Sequence, residues 1–339
     1  MKSLSYEPKL IAWELTRACR LHCLHCRMST APEGGEELSA EQCFSVLEGI
    51  AAAFSPIIIL TGGDPFLRED LFRIAHRGSE LGLTVVAASC GVGFDGETAL
   101  RCMRSGIRRV SFSLDGATAE SHDSFRGVPG SFAQVLAGMA ACRESGLDFQ
   151  INTTVTRLNA AELEDIANLA VESGAKAFHP FFFVPTGRGR DAVSLSLDAE
   201  EYEKVLLRIN SREREFPLSV KVTCAPQYYR IAAQGGSTGR RGRGCMAGES
   251  FAFISATGDV KPCGFLDLAA GNLLESGYDF GRIWNASGLF ARLRDRSLYS
   301  GKCAGCAYEA VCGGCRARAY EVSGDYLGEE PYCAYGRAE

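Results

Sequence analysis

The sequence predicts an α/β chain: a partial (β/α)6, TIM-like barrel followed by a smaller, loop-rich, cysteine-rich region. Short β-rich apolar runs alternate with longer segments of helical period, the pattern of βα units around a parallel sheet. One of these runs, Ile57-Ile58-Ile59-Leu60, is aliphatic throughout, as in strands covered on both faces. The third observation is the cysteines: of 15, ten fall into two spaced groups towards opposite ends of the chain.

Six strands are expected at 10–16, 56–63, 83–89, 108–115, 149–156 and 177–185. Helices are expected between them at 39–54, 69–81, 132–145 and 160–173. Ser39 with Gln42 three residues on is a capping box, and Gly82, Gly146 and Gly174 read as helix stops. In such folds chemistry sits at the C-terminal strand ends. The first cysteine group begins three residues after the first strand, on that face. From Gln234 to Gly244 the texture turns to Gly, Arg and Ser, so the expected units are 1–235 and 236–339. Runs at 250–255 and 259–262 flank Thr257-Gly258 as a hairpin.

At 339 residues and 46% hydrophobic composition the chain can bury a large core. A net charge of −5 argues against a nucleic-acid surface. No apolar run approaches the roughly 18 residues of a membrane span. Residues 1–8 lack a signal-peptide core, so a cytoplasmic protein is expected, where clustered cysteines are metal ligands rather than disulfides.

Cys19, Cys23 and Cys26 read C-x3-C-x2-C. A 4Fe–4S cube normally takes four cysteines, so three leave one iron open to a ligand that is not protein. The second group is Cys245, Cys263, Cys303, Cys306, Cys312, Cys315 and Cys333. A zinc ribbon also uses paired C-x2-C units but separates them by about 15–20 residues. Only five separate Cys306 from Cys312, which favours iron–sulfur.

The segment from Trp13 to Cys26 resembles the radical S-adenosylmethionine (SAM) superfamily at its defining motif. Thr61-Gly62-Gly63-Asp64-Pro65 looks like the family's GGE-type turn, with Asp64 for the usual Glu, which implies that Gly62, Gly63 and Asp64 receive the amino group of SAM. The resemblance further implies Ser113 and Asp115 at the ribose, Arg126 at the SAM carboxylate and Asn152 beside the adenine. Where many relatives carry Asn-Gly after the third strand, this chain has Ser89-Cys90-Gly91. His22 and His25, inside the cysteine loop, are read as solvent-facing or packed, and Cys43, Cys102 and Cys142 as core.

The C-terminal group resembles the SPASM domain, an auxiliary-cluster extension of radical SAM enzymes. By that pattern Cys303, Cys306, Cys312 and Cys333 hold one 4Fe–4S cluster. Cys245, Cys263 and Cys315 hold a second, whose fourth ligand is unassigned; Cys224 is either that ligand or a buried small hydrophobe.

Phrases such as Val184-Pro185-Thr186-Gly187-Arg188-Gly189-Arg190 and Thr223-Cys224-Ala225-Pro226-Gln227-Tyr228-Tyr229-Arg230 are similar to the coproheme decarboxylases (heme b synthases). That likeness implies oxidative decarboxylation of two propionates of iron-coproporphyrin III to vinyl groups, with clusters, SAM and an external reductant such as flavodoxin or ferredoxin. A substrate with four carboxylates calls for cations. Arg188, Arg190, Arg230, Lys221 and the Arg240/Arg241/Arg243 run are candidates, and Tyr228 and Tyr229 either stack on or ligate the porphyrin or are aromatic core. His179 is an axial ligand or a satisfied core histidine. The competing readings are a SPASM-type maturase acting on a peptide or another tetrapyrrole, and a non-catalytic iron–sulfur electron carrier. The carrier would have no use for the SAM-contacting set.

Overall fold

The computed structural model describes residues 6–28, 35–235 and 244–336. Its first half is a regular alternation of β1 (Leu10–Thr16), α1 (Ala40–Ala53), β2 (Ile57–Gly62), α2 (Leu71–Glu80), β3 (Thr84–Ser89), α3 (Gly96–Arg104), β4 (Ile107–Ser113), α4 (Ala119–Arg126), α5 (Ser131–Ser145), β5 (Asp148–Val155), α6 (Leu163–Ser173) and β6 (Ala177–Phe182). There follow α7 (Ala199–Arg212), β7 (Ser219–Val220) and α8 (Gln227–Gln234). The last part holds β8 (Phe251–Ile254), β9 (Asp259–Lys261), β10 (Gly271–Asn272), α9 (Phe280–Ala286), α10 (Gly288–Arg294) and α11 (Arg316–Ser323).

All ten strands form one sheet in the order β10-β9-β8-β1-β2-β3-β4-β5-β6-β7. From β1 to β7 every neighbour is parallel, the partial barrel that the alternating pattern predicts. The local signals act as expected. Ser39 closes a complete capping box with Gln42, and Gly146 and Gly174 end α5 and α6 in left-handed conformation. The sixth strand ends at Phe182, short of the expected 185, where the chain turns through Pro185.

Two features lie beyond the periodicity. α3, α4, α7 and α8 are short or polar helices that the apolar pattern did not mark. The hairpin of β8 and β9 forms as expected, with Gly258 at φ +88°. Yet β8 is not confined to a separate region: it pairs parallel with β1, Leu10 opposite Phe251 and Trp13 opposite Ile254. The expected boundary at 235/236 lies at the edge of the described residues, and Arg240, Arg241 and Arg243 lie outside them.

Outward faces of the strands, with Ile11, Trp13, Ile58, Leu60, Phe112 and Ile151 fully buried, meet the apolar stripes of the helices. Cys43, Cys102 and Cys142 sit in this layer, where burial pushes each thiol up to about 12 and keeps it protonated. Among the described residues no helix is long and apolar enough to cross a membrane.

Gly49 marks where the two ends of the chain meet. A Cβ there would strike the backbone carbonyl of Tyr278, itself held at φ 67°. Gly49→Ala would favour an isolated helix by about 1 kcal/mol. Here it is expected to destabilise instead, seen as a lower urea midpoint for the variant than for the wild type.

Candidate cluster sites and cofactor cradle

The first cysteine loop leaves β1 and is held from two sides. Gly63 and Asp64 donate backbone N–H groups to the carbonyls of Thr16 and Ala18, each at 2.8 Å. A Cβ on Gly62 or Gly63 would collide with those same carbonyls. The close approach that the two glycines permit is therefore to the chain itself, as well as to any ligand. On the other side the loop after β6 clasps it. Arg188 Nη1 donates to the Cys23 carbonyl at 2.9 Å, Gly189 N to the Cys26 carbonyl at 3.4 Å, and Gly187 packs on the backbone of Arg27.

Within this clasp Cys19, Cys23, Cys26 and Cys90 form one packed group with Leu21, Val92 and Val128. A hydrogen bond from Cys90 holds the Cys19 thiol down to about 7 against the effect of burial. Burial raises Cys23, opposed by Arg126, whose Nη1 points at its sulfur from 3.6 Å. Cys90 also binds Asp64, through Sγ at 2.7 Å and backbone N at 3.0 Å, while Ser89 Oγ donates to the same oxygen at 2.9 Å. The Ser-Cys-Gly turn thus orients the Asp64 carboxylate, which burial pushes above its usual range.

Asp115 and Arg126 meet as a buried ion pair beside Cys23. Thr154 N donates to Asp115 Oδ1 at 2.6 Å, and Asn159 and His122 hold the Asp115 backbone. Asn152 accepts from Gln150 at 3.0 Å and is paired in register with Ser113. The structure adds His25 to this set. Its ring stacks on Phe125 at 4.3 Å, lies 3.9 Å from Asp115, and carries a buried Nδ1 without a partner. Desolvation holds it well below its usual range, so it is neutral at pH 7. Its position between Cys23 and Cys26 was the only sequence signal.

The C-terminal thiols gather in two groups. Cys263 lies within electrostatic reach of Cys245 and Cys315, and Cys224 within reach of all three. Burial pushes Cys263 up to about 12 and Cys315 to about 11. Cys224 is held at φ 57°, a strained conformation for a residue with a Cβ, with its carbonyl fixed by Tyr202 Oη at 3.0 Å. In the second group Cys312 neighbours Cys333 and Cys303, and Cys306 N bonds the Cys303 carbonyl at 3.4 Å. Donors aim at sulfur here as well: Arg316 Nη2 and Glu330 N at Cys303, and Tyr308 N at Cys306.

Residues 13–170 match the Radical SAM superfamily profile, and residues 245–315 match an iron–sulfur cluster-binding domain, SPASM. The "AdoMet-dependent heme synthase" of Methanosarcina barkeri is 42% identical over 99% of this chain and 99% of its own. The chain belongs to the radical SAM superfamily. "Pre-heme d1 synthase" of Dinoroseobacter shibae is 31% identical over 97% of this chain and 87% of its own. The crystal structure of Streptococcus suis SuiB bound to S-adenosylmethionine shares the fold, with a TM-score of 0.78 at 16% identity over 97% of this chain and 78% of that one. The protein is thus a radical SAM enzyme, whose cofactors are 4Fe–4S clusters and SAM.

The thiol sets fit those cofactors. All fifteen cysteines are free, and the buried sulfurs are met by guanidinium and backbone donors, as thiolates on a cluster require. Among the described residues no three His, Cys, Asp or Glu side chains group tightly enough for a single metal ion. A cube of four irons spreads its ligating sulfurs further apart than one ion does.

Arg188, Arg190, Arg230 and Tyr228, four of the candidate substrate residues, already have partners within this radical SAM enzyme. Arg188 ties the cysteine loop, Arg190 forms a two-pronged pair with Glu321 at 2.8 and 3.0 Å, and Arg230 pairs with Glu203. Tyr228 Oη donates to Glu213. His179 bonds Gln150 at 3.0 Å, and burial holds it near 4.

Glu330 binds Arg318 through both oxygens, at 3.0 and 3.1 Å, and accepts from Cys315 N at 2.7 Å. Both side chains are at most 1% exposed. Glu330→Gln leaves the Arg318 charge buried opposite a neutral amide and is expected to cost about 3 kcal/mol, measured as a lower denaturation midpoint of the anaerobically reconstituted protein.

Proposed function

We propose that this radical SAM enzyme converts iron-coproporphyrin III to heme b by oxidative decarboxylation of two propionates. The observation that carries the reading is the 42% identity, from end to end, to a curated AdoMet-dependent heme synthase. Each propionate becomes a vinyl by losing a hydrogen atom from its β-carbon, carbon dioxide from its carboxyl group, and one electron. When bound, the first cluster and SAM supply the 5′-deoxyadenosyl radical that takes the hydrogen, and an auxiliary cluster accepts the electron.

In this reading Cys19, Cys23 and Cys26 hold the first cluster, with Arg188 and Gly189 fastening their loop. Gly62, Gly63 and Asp64 receive the SAM amino group, Asp64 oriented by Ser89 and Cys90. Arg126 faces the SAM carboxylate, and Ser113, Asp115, Asn152 and His25 line the nucleoside. Cys303, Cys306, Cys312 and Cys333 hold one auxiliary cluster. Cys245, Cys263 and Cys315 hold the other, with Cys224 as fourth ligand, its strained backbone being the cost of aiming that thiol. An external flavodoxin or ferredoxin supplies electrons, in the cytoplasm.

Anaerobic reconstitution followed by incubation with coproheme, SAM and dithionite is expected to give a product lighter by two CO2 and four hydrogens, one CO2 and two hydrogens per propionate, read by mass. Untouched coproheme alongside SAM cleavage would refute the substrate. Cys23→Ala is expected to abolish 5′-deoxyadenosine release while auxiliary iron stays bound; retained cleavage would refute the ligand set.

A further inference from the structure

The two cluster sites are joined by one side chain. Arg27 is the residue after Cys26, and its guanidinium reaches Gly264, the residue after Cys263, where Nη1 meets the carbonyl at 3.4 Å. One face lies over the Phe253 ring, Cζ to centroid 4.5 Å. The other packs so closely on Gly264 that a Cβ there would sit 3.1 Å from Nη1 and 3.3 Å from Cζ. Cys26 on one side, and Cys263 and Cys224 on the other, all lie within its electrostatic reach.

Among the described residues this cation has no close carboxylate. Its nearest carboxylate, Glu14, stands 4.0 Å from Nη1, and the other Glu14 oxygen is held by Arg17 at 3.0 Å. Nε and Nη2 donate no hydrogen bond to the described residues, although the side chain is only 20% exposed. These two donors form the edge that binds a carboxylate through both oxygens. By contrast the interior arginines 126 and 318 each have a carboxylate partner in contact. A guanidinium four-fifths covered, lying against a ring and a glycine and without a close carboxylate among the described residues, is placed to meet an anion that arrives.

We propose that the Nε–Nη2 edge of Arg27 anchors a carboxylate of the substrate in the gap between the SAM-binding site and the auxiliary site formed by Cys224, Cys245, Cys263 and Cys315. This rests on the coproheme reading and specifies it. A two-pronged ion pair stabilises a carboxylate as an anion and opposes its loss as CO2. The carboxylate held here is therefore one of the propionates that the reaction retains, and it orients the reacting propionates between hydrogen abstraction and electron removal.

The test compares wild type, Arg27→Gln and Arg27→Lys after anaerobic reconstitution. Iron content, 5′-deoxyadenosine release without substrate, and coproheme affinity from the visible absorption titration are read together. Arg27→Gln is expected to keep its iron and its uncoupled SAM cleavage but to bind coproheme at least about tenfold more weakly. Arg27→Lys, a point charge without the fork, is expected to fall between the two. Wild-type affinity in Arg27→Gln would overturn the proposal. So would loss of auxiliary iron in that variant, which would make Arg27 a structural latch between the loops. If the wild type neither binds nor converts coproheme, the substrate reading itself fails, and this assignment with it.

Discussion

Everything at the reactive face depends on β1 being hydrogen-bonded on both sides. Leu10 to Trp13 pair with β2 through Ile57 to Leu60 and with β8 through Phe251 to Ile254, both in parallel. Because all three strands run the same way, their C-terminal ends emerge together. The cysteine loop after β1 and the Gly-Gly-Asp turn after β2 are therefore neighbours, and Arg27, lying over Phe253 of β8 and bonded to Gly264, ties the Cys263 loop to the same face. Ile11 and Trp13, fully buried, make that register costly to slip, since a shift by one residue would turn them to the opposite face.

From that constraint the site assembles by backbone contacts before side chains matter. Gly62 and Gly63 nest on the carbonyls of Thr16 and Ala18, and Gly187 and Gly189 press on the cysteine loop from across the barrel. The loop carrying Cys19, Cys23 and Cys26 is thereby gripped at both ends of its arc. Charge is then arranged in matched pairs: Arg126 with Asp115 beside Cys23, and Arg318 with Glu330 beside Cys315. Each guanidinium balances a buried carboxylate and partly offsets the burial that raises the neighbouring thiol. Arg27, between the two sites, has no carboxylate in such contact among the described residues.

Cys90 shows how a departure from the family motif can be absorbed. It takes the place of the usual asparagine, and its thiol and backbone N–H both bind Asp64 while it also touches Cys19. The shorter carboxylate and the sulfur act together: Asp64 lacks the reach of glutamate, and Ser89 and Cys90 come forward to hold it. Read singly, either residue is an oddity; in the fold they are one arrangement.

How much was legible in the sequence depends on the range of the cause. Strand and helix positions followed from local period and caps, so β2, α1 and the Gly146 and Gly174 stops lay close to where Ile57, Ser39 and those glycines indicate. The cysteine groups were legible because ligand spacing is written along the chain, and their family match followed from the same residues. What the chain order could not convey is which charges find partners. Arg188, Arg190 and Arg230 look as available as Arg27 in one dimension, yet Cys23, Glu321 and Glu203 engage them, and the last two partners lie in remote helices. Nor could it decide between the two readings of Cys224, because only packing brings this residue, four positions past the two-residue β7, towards Cys245, Cys263 and Cys315. Local sequence determined the elements and the ligand types; only packing between distant segments decided which groups are satisfied and which are left to meet a ligand.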